Sequence, residues 1–442
     1  PTGAGKSLCF QLPALMSKGT TIVVSPLIAL MENQLGGLRA KNIPAACLHS
    51  NLPRAFRLKV LTSLAAQKLK LLYLAPETLL TPSVWNQLLK PELKINGLII
   101  DEAHCLAAWG DTFRPAYHRL GVVRSKLEAA KSGYGIIPIA AFTATAAPQT
   151  QQLITQSLGL RTPTKFLVNP YKANIDLKIR SVWTPRGRRN ALHHFIAHQG
   201  SNSGLVYTRS RRSSEEIAEW LRSLGYTTQA YHGGLNPIGR RAIEQNWLQN
   251  QIQFVVCTCA FGMGIDKPDV GWVAHYEAPN LLNEYIQEIG RGGRNGDRVK
   301  TLTLVSEPTG LFNGEDRQRQ NSLMRQIRQQ IGQLTHLISQ LPPEGDIYNI
   351  NRQWKGAELA LALLQSSGQV TWQDPFRYRL KPPINQKHLG NQILLREQQL
   401  MGQTRNFFKT KSCRWQFILM ASGFQRESQG FRCGHCDNCK KK

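Results

Sequence analysis

The chain opens Pro1-Thr2-Gly3-Ala4-Gly5-Lys6-Ser7 and continues into a helical stretch over 8–16. Gly3 and Gly5, with Thr2 and Ala4 between and before them, let a backbone curl so that its N–H groups and the helix N-terminus face phosphate oxygens. Lys6 is long enough to reach β- and γ-phosphates, and the Ser7 hydroxyl is a natural Mg²⁺ ligand. Further on, Leu98-Ile99-Ile100 runs straight into Asp101-Glu102-Ala103-His104. Adjacent carboxylates at the C-terminal end of a buried strand sit where open α/β sheets place their chemistry. Asp101 suits Mg²⁺, held largely through its water shell, and Glu102 suits orienting and deprotonating an attacking water. A phosphate loop or an Asp-Glu pair alone is a weak signal. Together they read as ATP hydrolysis.

Two further clusters carry chemistry. Arg291 and Arg294 stand three apart, a spacing that predicts one face of a helical turn and suits the γ-phosphate. Near the end, Cys413 precedes Cys433-Gly434-His435-Cys436-Asp437-Asn438-Cys439. Four thiolates in this spacing make a closed tetrahedral set for structural Zn²⁺, with an iron–sulfur cluster as the competing reading. Cys9, Cys47, Cys105, Cys257 and Cys259 are scattered through apolar segments, which argues for a reducing compartment and one metal site.

Charge narrows the partner. Fifty-five Lys and Arg against 28 Asp and Glu give +27, a surface that attracts polyanions and displaces counterions from a phosphate backbone. The charge does not say which nucleic acid. No apolar run is long enough for a membrane span, so no membrane partner is expected; protein partners are not legible.

These residues need elements to position them. Short apolar runs at 21–25, 71–74, 97–100 and 139–142 read as buried strands alternating with helices, the pattern of a parallel sheet. The pattern fades over 161–180, a connector, and restarts with strands at 204–207, 227–231, 254–258, 272–275 and 301–305. Two tandem α/β domains with a cleft between them are expected. Leu323, Ile327, Ile331, Leu334, Ile338 and Leu341 then mark one face of a long helix. Residues 358–364 read as a short helix, and 369–372 with 376–380 as a hairpin carrying Arg377, Arg379 and Lys381. This segment reads either as a winged-helix-like insert that could meet a duplex or as an elaboration packed on the zinc region.

The motifs resemble those of RecQ helicases, in superfamily 2. The stretch Cys105–Pro115, with Trp109, Phe113 and Arg114, is similar to the family's extended acidic box and aromatic-rich loop, which RNA helicases carrying the same DEAH quartet lack. Stacking on Trp109 and Phe113 is worth about 1–3 kcal/mol per base, and Arg114 adds charge. Residues 25–34 and 75–77 resemble the family's DNA-backbone segments. Residues 142–146 resemble the motif that bridges the acidic box to DNA, and 204–212 its motif IV. Residues 260–268, with Asp266 as a relay touching the nucleotide, and 285–296, with Gln287, Arg291 and Arg294, resemble motifs V and VI. The family more often shows Ala and Asp where this chain has Gly292 and Asn295.

The resemblance implies two RecA-like domains, 1–162 and 163–307, then a mainly helical zinc-binding domain, 308–442, with the insert at about 342–390. It implies ATP-dependent 3′→5′ unwinding in recombination and repair, acting on single-stranded DNA and duplex junctions. The location would be the cytoplasm at the nucleoid in a bacterium, or the nucleus in a eukaryote. It also implies a strand and an adenine-recognising glutamine before Pro1, so the chain as written is expected to bind ATP poorly. The alternatives are an RNA-remodelling ATPase and a nucleic-acid-binding protein with a dead motor; the intact Lys6, Asp101, Glu102, Arg291 and Arg294 weigh against the last.

Overall fold

The computed structural model describes residues 5–106, 114–131, 133, 135–144, 147–261, 265, 267–310, 312–382 and 386–440. Contacts divide it into two compact units, one containing residues 4–166 and 327–395, the other 167–326 and 396–442.

The first unit is built on β1 (Thr20–Val24), β2 (Ala45–Leu48), β3 (Leu71–Leu74), β4 (Ile95–Ile100) and β5 (Ile139–Ala141), all parallel, in the order β2-β3-β1-β4-β5. β1 and β3 are buried at every position, as a sheet covered on both faces requires. Alternate side chains divide between two apolar layers. Val23, Tyr73 and Ile99 meet Phe10 and Met31, while Ile22, Leu72 and Leu98 meet Leu88, Tyr117 and Leu127. The anticipated strands are present with their edges moved by a residue or two. β2, which was not anticipated, reads Ala-Ala-Cys-Leu and is too small and short to stand out.

The same unit carries a second module. The helix Glu315–Ile338, which belongs to this unit from residue 327 on, leads to β13 (Glu344–Asp346), the helices Ile347–Gln353 and Ala357–Ser366, then β14 (Val370–Trp372) and β15 (Arg377–Leu380). These strands form an antiparallel sheet in the order β13-β15-β14, the topology of a winged helix. The two short helices are joined by a tight turn whose Gly356 takes φ 93°.

In such a pair the second helix normally enters the major groove. Here it reads AELALALLQS, with Ala357 and 360–364 all buried, and it packs on the helix Pro115–His118. Arg119 is buried, donates to the Pro375 carbonyl at 3.1 Å, pairs with Glu358 and lies over the Trp372 ring. Tyr348 donates to the Leu80 carbonyl at 2.6 Å, and Trp85 meets Phe376 edge-on. The insert is thus a winged-helix fold seated on the helices of the first sheet.

The second unit holds β6 (Ile175–Asp176), β7 (Ile179–Val182), β8 (Ser203–Tyr207), β9 (Thr228–Tyr231), β10 (Phe254–Cys257), β11 (Val270–His275) and β12 (Val299–Ser306). They are parallel, ordered β6-β12-β11-β8-β10-β9, with β7 also on β12. All five expected strands are found. The expected connector ends in β6 and runs into β7, short strands whose pairing comes from β12. The cysteine-bearing segment packs on this edge. Trp415 Nε1 donates to the Ile175 carbonyl at 3.2 Å, and Asp437 exchanges backbone and side-chain bonds with Leu177 and Ile179. Among the described residues no helix is long and apolar enough to cross a membrane.

Candidate nucleotide and metal sites

Gly5 takes φ 71° and caps the helix Lys6–Met16, the left-handed turn a phosphate loop makes before its helix. Lys6 and Ser7 stand in the first helical turn. Thr2, Gly3 and Ala4 lie outside the described residues.

Asp101 follows β4 directly, and its N–H donates to the Val24 carbonyl at 2.8 Å, holding it beside the end of β1. Only 5% exposed, its carboxyl is pushed up to about 6 by burial, with Glu102 adding to the rise and Lys6 opposing it. Glu102 takes φ 47°, uncommon for a residue with a side chain, and donates its N–H to Asp101 Oδ1 at 2.9 Å. Strained backbone of this kind persists where the surroundings over-determine it. His104 Nδ1 lies 3.1 Å from Glu102 Oε2 and 3.1 Å from Thr143 Oγ1, so one imidazole joins the acidic pair to the segment after β5.

Arg114 Nη2 donates to the Pro26 carbonyl at 3.0 Å, and Nη1 lies 3.3 Å from Glu77 Oε1. One guanidinium thus gathers the two segments expected along a nucleic-acid backbone. Its partners within the chain were not anticipated. Trp109 and Phe113 lie outside the described residues, as does Asp266.

Arg291 and Arg294 belong to the other unit. The helix Leu282–Ile289 ends before them, so the pair occupies consecutive turns beyond the helix, not a helical face; Gly293 at φ 60° redirects the chain there. Gln287 is half-buried in the last helical turn. A Cβ on Gly292 would lie 2.6 Å from a Val299 methyl carbon, which accounts for glycine at that position.

Beneath this segment lies a group that sequence reasoning left unassigned. Glu288 accepts from Arg209 Nη2 at 2.8 and 3.0 Å, and His275 Nε2 lies 3.1 Å away. Burial pushes the Glu288 carboxyl up, but Arg209 and His275 outweigh it and hold it at about 2. Glu288 sits inside the motif read from the sequence. Its partner is distant in the chain, so no spacing signal could pair them.

The four sulfurs of Cys413, Cys433, Cys436 and Cys439 lie within 4.8 Å of one another. Backbone N–H groups point at them: Cys433 N to Cys413 Sγ at 3.3 Å, Cys436 N to Cys433 Sγ at 3.3 Å, and Arg414 N to Cys436 Sγ at 3.5 Å. Donors aimed at sulfur stabilise thiolates, and the set fits a tetrahedral ion. His435 is engaged elsewhere, 3.1 Å from Tyr171 Oη and 3.2 Å from Asp176 Oδ1. Arg414, bidentate on Asp437 at 2.9 and 3.1 Å, locks the two cysteine-bearing turns together.

Residues 1–154 match the DEAD/DEAH box helicase family, and 187–296 match the helicase conserved C-terminal domain. The chain is 48% identical to an ATP-dependent DNA helicase RecQ of Synechocystis sp., over 99% of this chain and 90% of that one. It is 40% identical to the protein of the same name from Haemophilus influenzae, over 70% of this chain and 48% of the relative. Among solved structures, Mycobacterium smegmatis helicase Lhr bound to ssDNA and AMP-PNP is similar in fold. Its TM-score is 0.57 at 19% identity, over 90% of this chain and 57% of that one.

Proposed function

Because this chain belongs to the RecQ family of ATP-dependent DNA helicases, we propose that it couples ATP hydrolysis to 3′→5′ travel along one strand, unwinding duplex DNA in recombination and repair. The observation that carries this reading is the acidic pair at the end of β4, its Asp101 buried and its Glu102 tied through His104 to Thr143.

In this reading Lys6 binds the β- and γ-phosphates, with Thr2, Gly3, Ala4 and Gly5 shaping the loop. Ser7 and Asp101 hold Mg²⁺, which supplies charge neutralisation on the transferred phosphoryl group. Glu102, its backbone fixed by Asp101 and its side chain by His104, orients the attacking water. Arg291 and Arg294 act on the γ-phosphate, Gln287 supports them, and Asp266 relays between nucleotide and DNA. Trp109, Phe113 and Arg114 meet the single strand at a duplex junction, and the cysteines hold Zn²⁺ as a structural ion. The division we assign is 1–162 and 163–307 for the motor domains and 308–442 for the zinc-binding domain with its winged insert. A bacterial host would place the protein in the cytoplasm at the nucleoid.

The test is ATP turnover with no nucleic acid, with single-stranded DNA and with RNA, alongside strand displacement from 3′- and 5′-tailed duplexes. Stimulation by DNA and preference for the 3′ tail support the reading. Stimulation by RNA alone would overturn it.

A further inference from the structure

The first turn of the long helix Glu315–Ile338 is fastened by charge. Asp316 accepts from the Ser306 N–H at 2.5 Å and lies 3.3 Å from Arg188, whose side chain is fully buried. Arg319, one turn on, pairs with Asp316 and sets its Nη1 2.9 Å from Glu277 Oε1. The other Glu277 oxygen accepts from the Arg209 N–H at 2.5 Å. Arg209 is the residue that grips Glu288, on the helix leading directly to Arg291. A connected path therefore runs from the Arg319–Glu277 ion pair, through the hydrogen bond of Glu277 to the Arg209 backbone, to the Arg209–Glu288 ion pair.

Only the Arg319 end is substantially exposed; the Glu277, Arg209 and Glu288 side chains are 11%, 10% and 5% exposed. Ion pairs so poorly reached by water are weakly screened and hold a narrow geometry. The same helix continues past residue 326 into the winged module.

We propose that Arg319 is a positioning residue for ATP hydrolysis, setting the segment that carries Arg291 through Glu277, Arg209 and Glu288. This rests on the assignment of Arg291 to the γ-phosphate. Arg319 touches no reacting atom; it acts by fixing where Arg291 can stand, and small misplacements at such distances cost rate more than binding.

The experiment measures DNA-stimulated ATP turnover, KM for ATP, single-strand affinity and thermal melting for Arg319→Ala, Arg319→Lys, Glu277→Gln and Arg291→Ala in the full chain. Arg319→Ala is expected to lower kcat about tenfold with KM and DNA affinity within about twofold of the parent. Arg319→Lys, which keeps the charge, regains most of that loss. Glu277→Gln, which keeps the packing, reproduces it even should Arg319→Ala fold poorly. Unchanged kcat in a folded Arg319→Ala and in Glu277→Gln overturns the proposal. So does a loss shared equally by kcat, DNA affinity and melting, which marks a purely structural role. Arg291→Ala separates the two readings: normal turnover there defeats the γ-phosphate assignment, whereas a dead Arg291→Ala beside a normal Arg319→Ala defeats only the relay.

Discussion

His104 and Thr143 meet at 3.1 Å, and that contact joins the acidic pair after β4 to the segment after β5. Removing the hydroxyl with Thr143→Val leaves Lys6 and Asp101 untouched. ATP turnover is expected to stay within about threefold of the parent while strand displacement falls at least about tenfold, the mark of a motor that burns nucleotide without moving. Parallel ATPase and unwinding assays check this; equal losses in both would reject a coupling role.

Lys6→Ala and Arg294→Ala are expected to abolish hydrolysis while leaving much of the DNA binding intact. Loss of the arginine alone should cost about 10³–10⁵ in rate. Turnover at the parental rate by either variant would refute the nucleotide assignment.

Metal analysis is expected to return zinc bound by the four cysteines. Such an ion contributes on the order of 10 kcal/mol to folding, so chelation, or Cys436→Ser, should melt the cysteine-bearing turns and loosen the β6 edge they cover. Finding iron instead would contradict the zinc assignment.

Glu288 gives the fold an acid-side dependence. Its carboxyl sits at about 2, below the ordinary 4.5, so the stability it contributes is complete above about pH 4.5 and is lost as pH falls through 2. Melting curves between pH 5 and pH 3 are expected to fall less steeply for Glu288→Gln than for the parent. At neutral pH, Arg209→Ala takes the guanidinium from a buried carboxylate, leaving His275 beside it, and should destabilise by about 3–5 kcal/mol.

Gly292→Ala drives a methyl against Val299 and is expected to destabilise by about 1–3 kcal/mol. The double variant with Val299→Ala should recover much of that loss. Thermal melting of the two variants decides whether space at this position selects glycine.

What the sequence made legible follows from locality. The central strands carry apolar side chains on both faces, so residues 71–74 and 254–257 announce themselves, and the last three cysteines declare a metal site because their spacing lies within adjacent turns. β13, Glu344-Gly345-Asp346, is polar and exists through its pairing with β15, and β6 is two residues long. Neither has a pattern of its own. The pairing of Arg209 with Glu288, and of Arg119 with Glu358, joins residues brought together by the fold alone. Three-residue spacing predicts a helical face for Arg291 and Arg294. The chain leaves the helix first, at Ile289.

Residues 358–364 read as a helix from the sequence, but what covers that helix is not legible there. Cut free of the first sheet's helices, the winged module would bare a hydrocarbon stripe to water, and partner-seeking or aggregation would follow. This is a part that cannot be borrowed: transplanted as a stand-alone DNA reader, it would bring along the wrong face.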